Sequence, residues 1–216
     1  MKLVLFGAGG QVAQRIAREA LDRGHEVVGV VRNASSVRSD NERLTIVEGD
    51  ATDPSSVARI SMGADAIISA LSPRPSPSGR PASSLATAAR ALIEGATRAR
   101  VSRLIVVGGA GSLEVAPGVR LVDAPGFPEE YKAESLNQAD ALAVYRTAAG
   151  NLDWTYISPA AEIGPGTRTG RYRTGEDALL ADENGKSFIS YEDYAKAVLD
   201  EIEHSTHPRA RMTAAY

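Results

Sequence analysis

The sequence predicts an α/β protein: a doubly wound parallel sheet with helices on both faces and a small C-terminal lobe. Three observations lead there. The chain opens on an unbroken apolar run, Leu3-Val4-Leu5-Phe6, which passes through Gly7-Ala8-Gly9-Gly10 directly into a helical pattern with Val12, Ala13, Ile16, Ala17, Ala20 and Leu21 on one face. Apolar runs of strand length then alternate with helical patterns, as buried parallel strands and their crossovers do. From Thr167 to Gly185 the texture turns polar and glycine-punctuated, which marks the lobe. No internal repeat or linker divides the chain, so residues 1–216 read as one domain, with about 159–190 contributing the lobe.

The opening turn presents free backbone N–H groups and a positive dipole end at one spot, where a pyrophosphate binds. In this arrangement Gly7 makes the tight turn, Gly10 lets a phosphate approach, Ala13 lets helix pack on strand, and Gly9 gives further room. The first helix stops at Gly24, and Glu26–Val31 is the second strand. Roughly twenty residues past the glycines an acidic residue would hold the ribose of NAD. Arg32 stands there instead. A guanidinium suits a 2′-phosphate, so NADP is favoured and NAD remains possible; the alternative is a solvated surface arginine.

Leu44–Glu48 is strand three, and Asp53-Pro54 starts a short helix through Ile60. Asp50, at the sheet edge, is placed either to accept from an adenine amino group or as a plain turn residue. Ala64–Leu71 is strand four. It runs into Ser72–Pro81, whose four prolines exclude helix and inner strand; the segment is either a lid over the nicotinamide or a stiff connector. An Ala-rich helix spans about Ala82 to Ala99, and Arg103–Val107 is strand five, opening into Gly108–Leu113 with Ser112 facing the cleft. Val119–Pro128 is irregular, Glu129–Ala149 is a helix, and Trp154–Ser158 is strand six, leading into Pro159–Gly166. Arg171-Tyr172-Arg173 alternates like an edge strand, Ser190–Asp193 resembles a capping box ahead of a helix from Tyr194 to His204, and Arg211–Ala214 adds a final strand.

Composition narrows the function. The net charge of −3 offers no basic excess for nucleic acid. With no cysteine, disulfides, thiolate nucleophiles and cysteine-ligated metals are excluded. No His/Asp/Glu cluster has ligand spacing, so no metal site is expected. His25, His204 and His207 lie away from the cofactor edge and read as surface or dipole-capping residues. A strand beginning at Lys2 or Leu3 and no apolar stretch of bilayer length lead to the expectation of a cytoplasmic protein with no membrane partner, as monomer or homodimer.

These residues resemble the atypical branch of the short-chain dehydrogenase/reductase superfamily. Gly7–Ala13 looks like that branch's G-x-x-G-x-x-G/A turn, and Gly49–Asp53 looks like its adenine-contacting G-D-x-x-D. Val107–Leu113 with Ser158–Gly166 is similar to the NADH-flavin reductases related to biliverdin reductase B, over essentially the whole chain. The resemblance implies a Rossmann-like fold. The cofactor set that follows is Gly7, Gly9, Gly10, Gln11 and Val12 at the turn and Arg32, Asp50 and Ala51 at the adenosine end. Ala70, Leu71, Gly108, Pro159 and Ala160 line the remaining strand exits.

One departure matters. The superfamily's tyrosine with a lysine four residues on is absent; Tyr131 and Lys132 are adjacent, and helical neighbours point about 100° apart. A ketone needs a proton donor for its alkoxide, whereas a flavin, quinone or tetrapyrrole delocalises the charge it gains. The expected activity is therefore hydride transfer from NAD(P)H to such a small conjugated acceptor, with flavin as a possible substrate. Ser112 is the candidate donor orienting the acceptor; Tyr131 and Lys132 either close over it or begin a solvated helix. Glu162 either lines the pocket or caps a strand exit. The alternative function is a non-catalytic NADP sensor of the NmrA-like kind.

Overall fold

The computed structural model describes residues 1–34, 41–73 and 84–216. In chain order the elements are β1 (Lys2–Phe6), α1 (Gln11–Asp22), β2 (Glu26–Val31), β3 (Leu44–Glu48), α2 (Pro54–Ser61), β4 (Ala66–Ser69), α3 (Leu85–Ala99) and β5 (Arg103–Val107). A short hairpin, β6 (Glu114–Ala116) and β7 (Val119–Arg120), and a 3-10 turn at Leu121–Asp123 precede α4 (Glu129–Ala148) and β8 (Asp153–Pro159). Then come β9 (Glu162–Gly164), β10 (Arg173–Gly175), β11 (Phe188–Ser190), α5 (Tyr191–His204) and β12 (Ala210–Ala215).

Eight strands form one sheet in the order β10-β12-β8-β5-β4-β1-β2-β3. All neighbours run parallel except β10, which pairs antiparallel with β12 at the edge. This is a Rossmann-like sheet, and it reverses direction between β1 and β4. Ligands of such sheets lie outside the strand C-termini at that reversal.

Alternation along the strands builds a core on each face. Leu3 and Leu5 pack with α1 and α5 through Ile16, Ala20, Val198 and Leu199; Val4 and Phe6 pack with α2, α3 and α4 through Val57, Leu92 and Leu142. Parallel strands buried on both faces must be apolar throughout, which explains the unbroken run at Leu3–Phe6.

Several boundaries differ from expectation. β4 is shorter than Ala64–Leu71. α5 begins at Tyr191 rather than Tyr194, because the Ser190 hydroxyl accepts from Asp193 N–H at 3.0 Å and so caps the helix three residues earlier. Val119 to Pro128 is not wholly irregular, since its start closes the β6–β7 hairpin. The edge strand is Arg173–Gly175, while Tyr172 turns its hydroxyl to Asp200 and lies under the Lys196 ammonium. Most of the proline-rich segment, and residues 82–83 at the expected helix start, fall outside the described residues. The lobe is a parallel β9–β11 pair with its flanking loops. Among the described residues, no helix is long and apolar enough to cross a membrane.

Candidate functional site: a crevice along the strand C-termini

β1 ends in Gly7, whose φ of +84° is a left-handed conformation and whose missing Cβ would stand 2.5 Å from the Ala70 carbonyl oxygen. That contact is what Ala70 contributes: it walls the turn with its backbone. Gly7 N–H and Ala8 N–H both donate to the Val30 carbonyl, and Gly10 N–H donates back to Gly7. Gly10 caps α1 without a side chain. The N–H groups of Gly9, Gln11, Val12 and Ala13 then have no acceptor among the described residues. Gln11 and Val12 thus offer backbone donors, since neither side chain lies on a cavity wall. Four free donors at the positive end of a three-turn helix form an anion site.

Beside the turn lies a cavity of about 550 Å³ lined by Gly7, Gly9, Gly10, Arg32, Asp50, Ala51 and Leu71, among others. Arg32 is exposed and makes no hydrogen bond or ion pair among the described residues. Asp50 accepts from Thr52 N–H at 2.8 Å and from the Thr52 hydroxyl at 2.7 Å, both on Oδ1. Oδ2 is left without a donor among the described residues. Those Thr52 bonds, with the Arg32 charge behind them, outweigh partial burial and hold the Asp50 carboxyl below the usual carboxylate range.

A second cavity, about 960 Å³, opens farther along the same edge, at the ends of β5 and β8. Gly108, Pro159 and Ala160 line it, as do Phe127, Phe188 and Tyr191. Its α4 wall is Tyr131, Glu134, Ser135 and Gln138, a spacing of i, i+3, i+4 and i+7 that defines one helix face. The Glu134 carboxylate accepts from the Ser72 hydroxyl at 2.9 Å, linking this wall to the lining of the smaller cavity.

Two of the three candidate catalytic residues stand elsewhere. Ser112 does not face the cleft: its hydroxyl lies 2.9 Å and its carbonyl 3.1 Å from Arg211 Nη1, so both accept from that guanidinium. Arg211 is buried and needs acceptors, and Ser112 and Asp177 provide them. Lys132, one residue beyond the cavity-facing position, turns outward to Glu129 at 3.5 Å. Tyr131 is on the wall, although more than half exposed. Glu162 is also on the wall. The place a lysine would take, four residues after Tyr131, is Ser135, against which a Cβ on Gly111 would press at 2.4 Å.

Glu134 and Gln138 were not singled out from sequence. Stepping the helical period forward from Tyr131 finds both, but only once that face is known to meet the cleft. The histidines stand apart from both cavities. His25 is buried rather than superficial, with Nε2 donating to Glu203 at 2.8 Å, while His204 Nδ1 donates to the Asp200 carbonyl near the end of α5. No group of His, Asp or Glu that could hold a metal occurs among the described residues.

The model of a family described as NAD(P)H-binding matches residues 7–205. The chain is 41% identical to the uncharacterized protein YwnB of Bacillus subtilis over 216 residues, covering 99% of this chain and 97% of YwnB. Among solved structures it is similar to a Burkholderia pseudomallei protein named only as exported (47% identity, TM-score 0.88, 100% of each chain). It is also similar to SP1627 of Streptococcus pneumoniae TIGR4, which carries the provisional name NADH-flavin reductase (34% identity, TM-score 0.81, 100% of this chain and 99% of that one).

Proposed function

The chain belongs to the NAD(P)H-binding family, in the atypical short-chain dehydrogenase/reductase branch, and on that premise we propose that it reduces small conjugated acceptors such as flavins or quinones, with NADPH favoured over NADH. The residues fit the dinucleotide. The free N–H groups of Gly9, Gln11, Val12 and Ala13 suit its pyrophosphate, Asp50 Oδ2 its adenine amino group, and Arg32 a 2′-phosphate. The larger cavity along the same strand ends is left for the nicotinamide and its acceptor. When bound, the reduced nicotinamide supplies a hydride.

One observation carries the choice of acceptor. The cavity is walled by Phe127, Pro128, Tyr131, Pro159, Phe188 and Tyr191, and Ser135 stands where a proton-donating tyrosine would need its lysine. Tyr131 thus stands without the lysine that makes a tyrosine a proton donor in this superfamily. Aromatic and proline walls suit a flat ring and set its distance and angle to the hydride donor. An acceptor that spreads its new charge over a ring takes its proton from water.

The test is NADPH oxidation by the full chain in the presence of riboflavin, FMN, a quinone and a linear tetrapyrrole. Turnover above the uncatalysed rate with at least one is expected. Tight NADP binding with no turnover of any acceptor would defeat the proposal in favour of a nucleotide sensor.

A further inference from the structure

Gln138 combines deep burial with an unused hydrogen-bonding group. It is 8% exposed, yet it borders the larger cavity from α4. Its Oε1 lies 3.1 Å, and its backbone carbonyl 3.0 Å, from the Tyr156 hydroxyl, which donates to them. The same hydroxyl accepts from Gly109 N–H at 3.2 Å. Tyr156 cannot shift, because it is fully buried and its ring fills the space a Cβ on Gly108 would occupy, 2.1 Å from Cε1. Burial also pushes the Tyr156 phenol up, so it stays a proton donor at every working pH.

Oε1 is thus committed to Tyr156, and Nε2 has no acceptor among the described residues. The Nε2–H is therefore left to the cavity that Gln138 borders. At this wall its partner is whatever enters the cavity. Ser135, one turn earlier, offers a hydroxyl to the same space, but it is only half-buried and its O–H is free to rotate. Gln138 is the donor whose direction the protein fixes.

Building on the reductase reading, we propose that Gln138 Nε2 donates to a carbonyl oxygen of the acceptor, which makes the substrate class rings with a conjugated carbonyl, such as quinones and isoalloxazines. The hydride adds to a ring atom conjugated with that carbonyl, and an electron pair moves onto its oxygen. The nicotinamide is oxidised and the acceptor reduced by two electrons. The oxyanion is met by the Nε2–H and then takes a proton from water. An amide aimed at developing charge acts as an oxyanion hole does. It stabilises the charge without being an acid, which matches a site lacking the tyrosine–lysine pair.

Gln138→Glu tests this, because it keeps an oxygen for Tyr156 and replaces the amide donors with a carboxylate. At pH 8 the variant is expected to lose about 100-fold in kcat/KM for menadione and riboflavin. NADPH affinity by calorimetry and the melting temperature should stay within twofold and within a few degrees. Reduction of a phenazinium dye, which has no carbonyl, should not fall with that of menadione and riboflavin. Retained kcat/KM for the carbonyl acceptors overturns the inference, and so does equal loss with the dye. A parallel loss of NADPH affinity also overturns it, by moving the donor to the cofactor. If Gln138→Glu unfolds, Gln138→Met, which keeps the side chain's length and volume, carries the same readouts. Absence of turnover by the unaltered chain instead removes the reductase reading, and this inference with it.

Discussion

Gly108 is held as glycine by a neighbour rather than by its own conformation. A methyl there would meet the Tyr156 ring at 2.1 Å, and that ring has no space to retreat into. Gly108→Ala should therefore cost about 1–3 kcal/mol, the range for overpacking a fixed core, and a urea melt reads it directly. Arg32 poses the opposite case, an exposed side chain with no hydrogen bond or ion pair among the described residues. Arg32→Asp should leave the melt unchanged while weakening NADPH by about tenfold or more and leaving NADH nearly as before; equal loss for both would refute a 2′-phosphate role. A glycine at a strand exit is legible in sequence because that residue type fits few jobs. Ser112 was not. A serine in a glycine turn looks the same whether it faces a ligand or a guanidinium, and its partner Arg211 is 99 residues away. Gln138 was invisible for the same reason, since its meaning depends on Tyr156.

At the scale of elements, the lobe is fastened by charge rather than by a core of its own. Asp193, at the start of α5, is fully buried and accepts from Thr169 N–H at 3.0 Å, the Thr169 hydroxyl at 2.6 Å, Gly170 N–H at 2.8 Å and the Tyr216 hydroxyl at 2.7 Å. Arg168 in the same loop makes two bonds to Glu19 of α1, at 2.8 and 2.7 Å. These contacts hold the loop after β9 against both helices of one face. Asp193→Ala removes the acceptor that these four bonds share at a buried position, so a loss of about 3 kcal/mol is expected. Amide exchange should rise first in 166–171 and leave β1, β4 and β5 protected, whereas uniform deprotection would contradict a local role. Strands and long helices were readable because their periodicity is set by burial on the sheet. The internal order of the lobe was not, because it comes from contacts between Asp193, Arg168 and partners far along the chain. The β6–β7 hairpin escaped for another reason: three residues are too few to show a period.

Across the whole molecule, one buried charge cluster joins β5, β8 and α5 at the end of the sheet opposite the crevice. Arg103 donates to Glu201 at 2.8 Å and lies 3.1 Å from Asp153, while Thr206 and His207 also bond Glu201 at 2.6 and 2.9 Å. Burial alone would raise the Glu201 carboxyl, but hydrogen bonds from Thr206, His207 and Arg103 outweigh it and hold it at about 2. The depressed value sets the sign. Stability from this carboxylate is full above its ordinary value near 4.5 and is lost as pH falls from there toward 2. The urea midpoint should fall steeply across that window. In Glu201→Gln the fall should be shallower, from a start about 3–5 kcal/mol lower, because Arg103 then keeps its charge without its main partner. Matching slopes would contradict the assignment.

Every strand of the eight-stranded sheet except β10 runs toward one edge, and that edge carries both cavities, the free N–H groups of α1 and Arg32. A dinucleotide lying along that edge would meet all of them. Calorimetric titration of the full chain with NADPH and then NADH tests this most directly. One binding site per chain is expected, with NADPH the tighter by tenfold or more. No heat from either nucleotide at millimolar concentration would contradict it.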